Sequence, residues 1–265
     1  MNSKVLLFCM SIMAAYTIAM DPPEPKKPRV EGKETLVMDQ GFSIKDYLTK
    51  PDLQNKMPQI ETREGKKVLI LQDMNINSLD GIELIPDINT VQNLDLSNNL
   101  LESVPPGLFV GLIKLEVLDL SKNLIKAVVS NAFVGLSGLQ ELLLGENIID
   151  NLEQGAFAHL SSLRSLSLND NKLRVLNKGA LAGVNNLISL YLDNNKLETI
   201  NPQALAHLQR LEVLDLSLNR LKALDPMLLA PLVALEELDL TENPLSQETK
   251  DRLRSALPEQ IQLSF

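Results

Sequence analysis

Tryptophan is absent from this 265-residue chain, cysteine and histidine occur once and twice, and aromatic residues make up only 3%. Each scarcity excludes something. A single cysteine, Cys9, cannot build a disulfide framework within the chain, nor act as a nucleophile once the segment that carries it is removed. The two histidines, His159 and His207, have no partner pattern of Ser or Asp around them and no Gly-rich phosphate loop nearby, so no catalytic constellation emerges. No Asn-x-Ser/Thr acceptor occurs, so no N-glycan should block any face. Positive charge is also in the minority. Lys and Arg total 25 against 34 Asp and Glu, a net charge of -9, which disfavours nucleic acid and anionic membrane surfaces. Long apolar runs are missing except near the start, where Val5 to Ile18 is too short to cross a hydrocarbon layer of about 30 Å comfortably.

That run reads instead as a secretion signal over residues 1–19. Lys4 supplies the positive start, and Thr17-Ile18-Ala19 is an acceptable small-residue cleavage site with Pro22 and Pro23 just beyond. Cys9 leaves with it. Residues 20–36 are Pro-rich and charged and read as a flexible leader. Residues 37–65 place Phe42, Ile44, Tyr47 and Leu48 at a spacing that suits a short helical turn, an N-terminal cap for the remainder of the chain.

What is abundant is leucine, at fixed intervals. The pattern Leu-x-Leu-x-x-Asn ends at Asn99, Asn123, Asn147, Asn171, Asn195, Asn219 and Asn243, every step being 24 residues. Self-similarity at such a period marks a solenoid. Further columns come after each Asn: Phe109, Phe133, Phe157, Leu181, Leu205 and Leu229 ten residues on, a Leu or Val column thirteen on, and Leu115 to Leu235 sixteen on. An earlier copy is degenerate: Leu69, Leu71, Ile76 and Leu79 fit, but Met74 stands where Asn should be. On these residues the chain resembles the leucine-rich repeat superfamily across residues 66–245. The resemblance implies an α/β solenoid, a horseshoe with a parallel β-sheet on its concave side, about eight strands and short helical caps. The Asn column then reads as structural, each amide bonding the backbone of the adjacent turn. After Asn243 the repeat stops. Ser246 is a good N-cap for "QETKDRLRSAL", Pro258 ends that helix, and "IQLSF" can add a last strand, so residues 246–265 form a C-terminal cap.

Strand residues between the inward Leu positions face outward. Over eight strands, five such or flanking positions per repeat hold 14 acids against 3 bases, a more negative balance than the whole chain's -9. One column runs Ile70, Asp95, Asp119, Leu143, Ser167, Tyr191, Asp215, Asp239. Asp95 and Asp119, and Asp215 and Asp239, should sit about 4.8 Å apart on neighbouring strands, which is unfavourable for like charges. Three readings stay open at this point: solvated carboxylates of a common strand motif, a cationic partner that relieves the repulsion, or a calcium ion whose remaining ligands the pattern does not supply. Val117, Leu143, Ile188, Tyr191, Val213 and Leu218 add apolar residues to the acidic face. Lys172, Arg174, Lys196, Arg220 and Lys222 form a basic patch on the adjoining edge.

The expectation is a secreted, non-enzymatic protein that binds another, basic protein. Its binding residues would be Asp95, Val117, Asp119, Leu143, Tyr191, Asp193, Val213, Asp215, Glu237 and Asp239, with no metal and no cofactor. The 24-residue period is similar to that of Toll-like receptor ectodomains and small leucine-rich proteoglycans, though without their cysteine-bonded ends. That likeness implies a soluble decoy or modulator of Toll-type immune recognition, such as a venom or body-fluid component. An extracellular-matrix binding protein and a soluble enzyme inhibitor are the alternatives.

Overall fold

A computed structural model describes residues 41–54 and 56–265. The expected secretion signal, the leader and the first residues of the expected cap lie outside the described residues.

Each repeat contributes one short strand: Lys66–Ile70, Asn93–Asp95, Val117–Asp119, Glu141–Leu143, Ser165–Ser167, Ser189–Tyr191, Val213–Asp215 and Glu237–Asp239. They pair in sequence order, all parallel, with Leu69, Leu94, Leu118, Leu142, Leu166, Leu190, Leu214 and Leu238 in one row. Every leucine of that row is fully buried. The later columns close the core from the other side, and Phe109, Phe133 and Phe157 stack face to face at 6.3 and 6.0 Å between ring centres. That opposite side is made mostly of turns with a few short helical pieces, such as Pro202–Leu205 and Pro226–Leu228.

The chain leaves each strand through a fixed corner. The residue before the repeat Asn takes a left-handed conformation: Asn98, Lys122, Glu146, Asp170, Asn194, Leu218 and Glu242 all have φ between 49° and 56°. Behind that corner sits the Asn. Asn147 is typical: its Oδ1 accepts from Ile125 N–H at 3.0 Å, and its Nδ2 donates to the carbonyls of Leu120, Leu144 and Gly145 at 3.0, 3.1 and 3.2 Å. The amide thus satisfies backbone groups of two successive repeats where they are shut off from water.

The two ends of the sheet are closed differently. At the start, Ser43 and Asp46 form a reciprocal capping box for the helix Ile44–Thr49, and the Tyr47 hydroxyl donates to the Met74 carbonyl. Ile44 and Tyr47 cover the degenerate repeat. A hairpin that the sequence pattern did not signal comes next: Glu64 and Gly65, at φ 50° and 80°, form its turn, and Glu61–Arg63 pairs antiparallel with Lys66–Val68. Its charged, exposed residues blunt the sheet edge. At the other end Ser246 caps the helix Gln247–Ala256, with Leu253 fully buried, and Gln262–Ser264 adds a parallel strand to Glu237–Asp239.

Candidate functional site on the sheet face

The outward column forms in the expected register: Ile70, Asp95, Asp119, Leu143, Ser167, Tyr191, Asp215 and Asp239 lie one strand apart in that order. Its aspartates have a local task. Oδ1 of Asp95, Asp119, Asp215 and Asp239 each accepts the backbone N–H two residues on, at 2.8 to 2.9 Å. This is the Asx-turn bond, and it tightens the chain as it leaves the strand. The strand motif "LDLS" is therefore partly a turn device.

The face is not uniform. Asp95, Val117 and Asp119 are buried, at 2%, 4% and 8% exposure, whereas Leu143, Tyr191, Asp193, Asp215, Glu237 and Asp239 are half-buried. Asp95 and Asp119 are thus not the solvated carboxylates that one of the three readings requires. Val117 and Val213, the latter at 8%, are flush with the sheet and offer little area of their own. Leu218 and Ile188, by contrast, remain open or half-open. The more accessible part of the expected site lies in its second half, around Tyr191, Asp193, Glu237 and Asp239.

Electrostatics follow burial. Burial pushes the Asp119 carboxyl up to about 6, against the bonds from Ser121 and with help from the charge of Asp95. Burial likewise raises Asp193 to about 6, with Asp215, Asp170 and Asp239 adding repulsion. Glu141 goes furthest. Burial and the charge of Asp119 raise it to about 7, and its Oε2 has no hydrogen-bond partner. Glu141 is one of the 14 acids of the face but lies outside the expected set of binding residues. Its signal in the sequence is a charge standing between Val117 and Ser165, in a column that is otherwise mostly small or β-branched there. Lys66, which the repeat pattern does not single out, bonds Glu116 at 2.7 Å. Burial alone would raise Glu116, but Lys66 and Gln92 together hold it below the ordinary range.

The remaining candidates fall elsewhere. Lys172, Arg174, Arg220 and Lys222 are exposed and Lys196 is half-buried, and none makes an ion pair among the described residues. His159 is exposed, 3.0 Å from Asn131, and His207 bonds the Leu181 carbonyl at 2.7 Å. They do not meet. Among the described residues no group of His, Cys, Asp and Glu could hold a metal ion, and no helix is long and apolar enough to cross a membrane.

A family model for the leucine rich repeat matches residues 89–149, 137–197 and 185–245, which together span more than half of the chain. The chain belongs to the leucine-rich repeat family. No curated protein matches its sequence. Among solved structures it is similar to TLR13 in a crystal structure of the TLR13–ssRNA13 complex, at 35% identity and a TM-score of 0.58. That match takes in 61% of this chain and 23% of the TLR13 chain, so this chain matches less than a quarter of the receptor chain's length. Both findings agree with a solenoid of the Toll-like receptor kind.

Proposed function

We propose that this leucine-rich repeat protein recognises another protein, one with a basic surface, across the concave sheet face. The observation that carries the reading is the second half of the outward column. Tyr191, Asp215 and Asp239 stand in register on successive strands, half-buried, with Asp193 and Glu237 beside them. Such an acidic surface around an aromatic anchor suits a cationic protein, for which charge gives fast encounter and the ring gives contact area. TLR13 in that complex is bound to ssRNA13; the acid on this face would repel phosphate, which favours a protein instead. The finer reading is a secreted binding protein, a soluble decoy or modulator of Toll-type recognition, supported by the apolar segment Val5 to Ile18 and by the likeness to TLR13.

The test uses the chain from Asp21 onward to capture partners from extracellular fluid at low and high salt. A variant with Asp193→Lys and Glu237→Lys runs beside it. These two positions reverse charge without removing a turn bond, as a change at Asp119 or Asp215 would. A basic partner that is lost with salt and lost with the variant supports the reading. A partner retained equally by both moves the site off the sheet face.

A further inference from the structure

Only two buried side-chain polar atoms among the described residues lack a hydrogen-bond partner, Asn93 Oδ1 and Glu141 Oε2. They belong to one patch. Asn93, Val117 and Glu141 pair across three successive strands, so the two residues with orphaned acceptors flank Val117 on strands about 4.8 Å apart. In the next outward column Asp95, Asp119 and Leu143 stand on the same three strands. The patch is therefore rich in acceptors. A buried acceptor left without a donor loses its hydration with nothing in exchange, and two such atoms in one place call for a donor.

The chain supplies few. Lys66 is held by Glu116 at 2.7 Å, with Gln92 on the other oxygen of that carboxylate at 2.9 Å. Lys122, near Asp119, pairs with Glu146 at 3.5 Å. Arg164, just before the strand that follows Glu141's, is exposed and makes no ion pair among the described residues. Asp95 and Asp119 each give one oxygen to a backbone N–H, and a carboxylate can accept several donors in all. What fits is a planar group with several N–H donors on an apolar stem. A guanidinium has five donors in a rigid fork and loses little on desolvation compared with an ammonium, and its methylenes can lie on apolar surface.

We propose that Asn93, Asp95, Asp119 and Glu141 form a subsite for an arginine side chain of the protein partner, with the half-buried Leu143 beneath its methylene stem. The assignment rests on the reading of the sheet face as a protein-binding surface, and names the residue type that anchors its first half. It also couples binding to protons. The charged groups facing Glu141 are Asp119 and Lys66, and Asp119 in turn faces Asp95 and Lys122. An arriving guanidinium stabilises the ionised carboxylates, so binding expels a proton near neutral pH and weakens in acid.

The experiment uses the chain from Asp21 with two blocked tripeptides, acetyl-Gly-Arg-Gly-amide and its citrulline counterpart, the uncharged isostere. Carboxyl-carbon NMR follows Glu141 and Asp119 while each peptide is titrated at pH 8 and pH 5.5. The arginine peptide should move both resonances and lower the pH at which Glu141 titrates, bind about tenfold more weakly at pH 5.5, and be matched by no effect from citrulline. Glu141→Gln should lose about tenfold at pH 8 and flatten the pH dependence, whereas Glu248→Gln, exposed on the C-terminal helix and off the sheet face, should change neither. Arginine binding that leaves Glu141 and Asp119 unmoved, equal binding of citrulline, or unchanged affinity in Glu141→Gln overturns the subsite. If the subsite fails while charge reversal at Asp193 and Glu237 still abolishes partner capture, the protein-binding reading stands without it. If both fail, the sheet face is not the binding surface.

Discussion

Replacing Glu141 by Gln should stabilise the protein at alkaline pH and do little in acid. The carboxyl is buried, one oxygen is unpartnered, and Asp119 repels its charge. Its affinity for a proton in the folded chain rises from 4.5 to about 7. As pH increases, the unfolded chain gives up this proton first, near pH 4.5, and the folded chain holds it until about 7. Stability from this group is therefore fully present below about pH 4.5, declines up to about 7, and stays low above it. At about 1.4 kcal/mol per pH unit, the loss is roughly 3 kcal/mol. Gln keeps the shape and never ionises. Relative to the parent chain, the variant should gain roughly 3 kcal/mol more at pH 8 than at pH 4. For a domain of this size that corresponds to a Tm shift of roughly 6–12 °C. Thermal unfolding of both proteins at pH 4, 6 and 8 measures it. A stability difference that does not change with pH refutes the burial argument, and with it the acceptor-rich patch.

Three further expectations concern the scaffold. Asn147→Ala removes four bonds to backbone groups of two repeats and strands the Ile125 N–H in the core; urea unfolding should show a loss of roughly 3–5 kcal/mol, several orphaned groups at about 1–3 kcal/mol each with partial relaxation. Leu218 is the one aliphatic residue in the left-handed corner, at φ 52°, where Asn stands at 98 and 194. Leu218→Asn should gain about 1 kcal/mol in thermal unfolding, because the left-handed conformation costs a leucine about that much. Phe133→Ala opens a gap between the stacked rings of Phe109 and Phe157 and should cost about 3–5 kcal/mol, with unfolding losing its single sharp transition if the array divides there.

The sheet was legible from the Asn register alone. A 24-residue spacing leaves no freedom in which strand pairs with which, so the outward column can be written down residue by residue from the sequence. The Asn role was legible for the same reason: a buried amide at every turn has only backbone to bond. Burial within the outward face was not legible. Asp95 and Asp239 have the same sequence surroundings, "LDL", yet one is closed off and the other half-open, because neighbours from other repeats decide cover. The double use of aspartate was hidden too, since turn bond and binding surface draw on the same side chain. The hairpin at Glu64 and Gly65 was masked by the helical spacing before it, although Gly after an acidic residue is a turn signal. Glu141 was visible as a charge and invisible as an orphan, since partners are a property of three dimensions.

The central claim, that the sheet face is the binding surface, is tested most directly by carboxyl labelling. The captured complex and the free chain are treated with a carbodiimide and glycine ethyl ester, and modified Asp and Glu are counted by mass spectrometry. The account predicts that Asp193, Glu237 and Asp239 lose labelling in the complex, while Glu153, Asp225 and Glu248 label as in the free chain. Protection of the latter three, with Asp193, Glu237 and Asp239 still labelled, would contradict it.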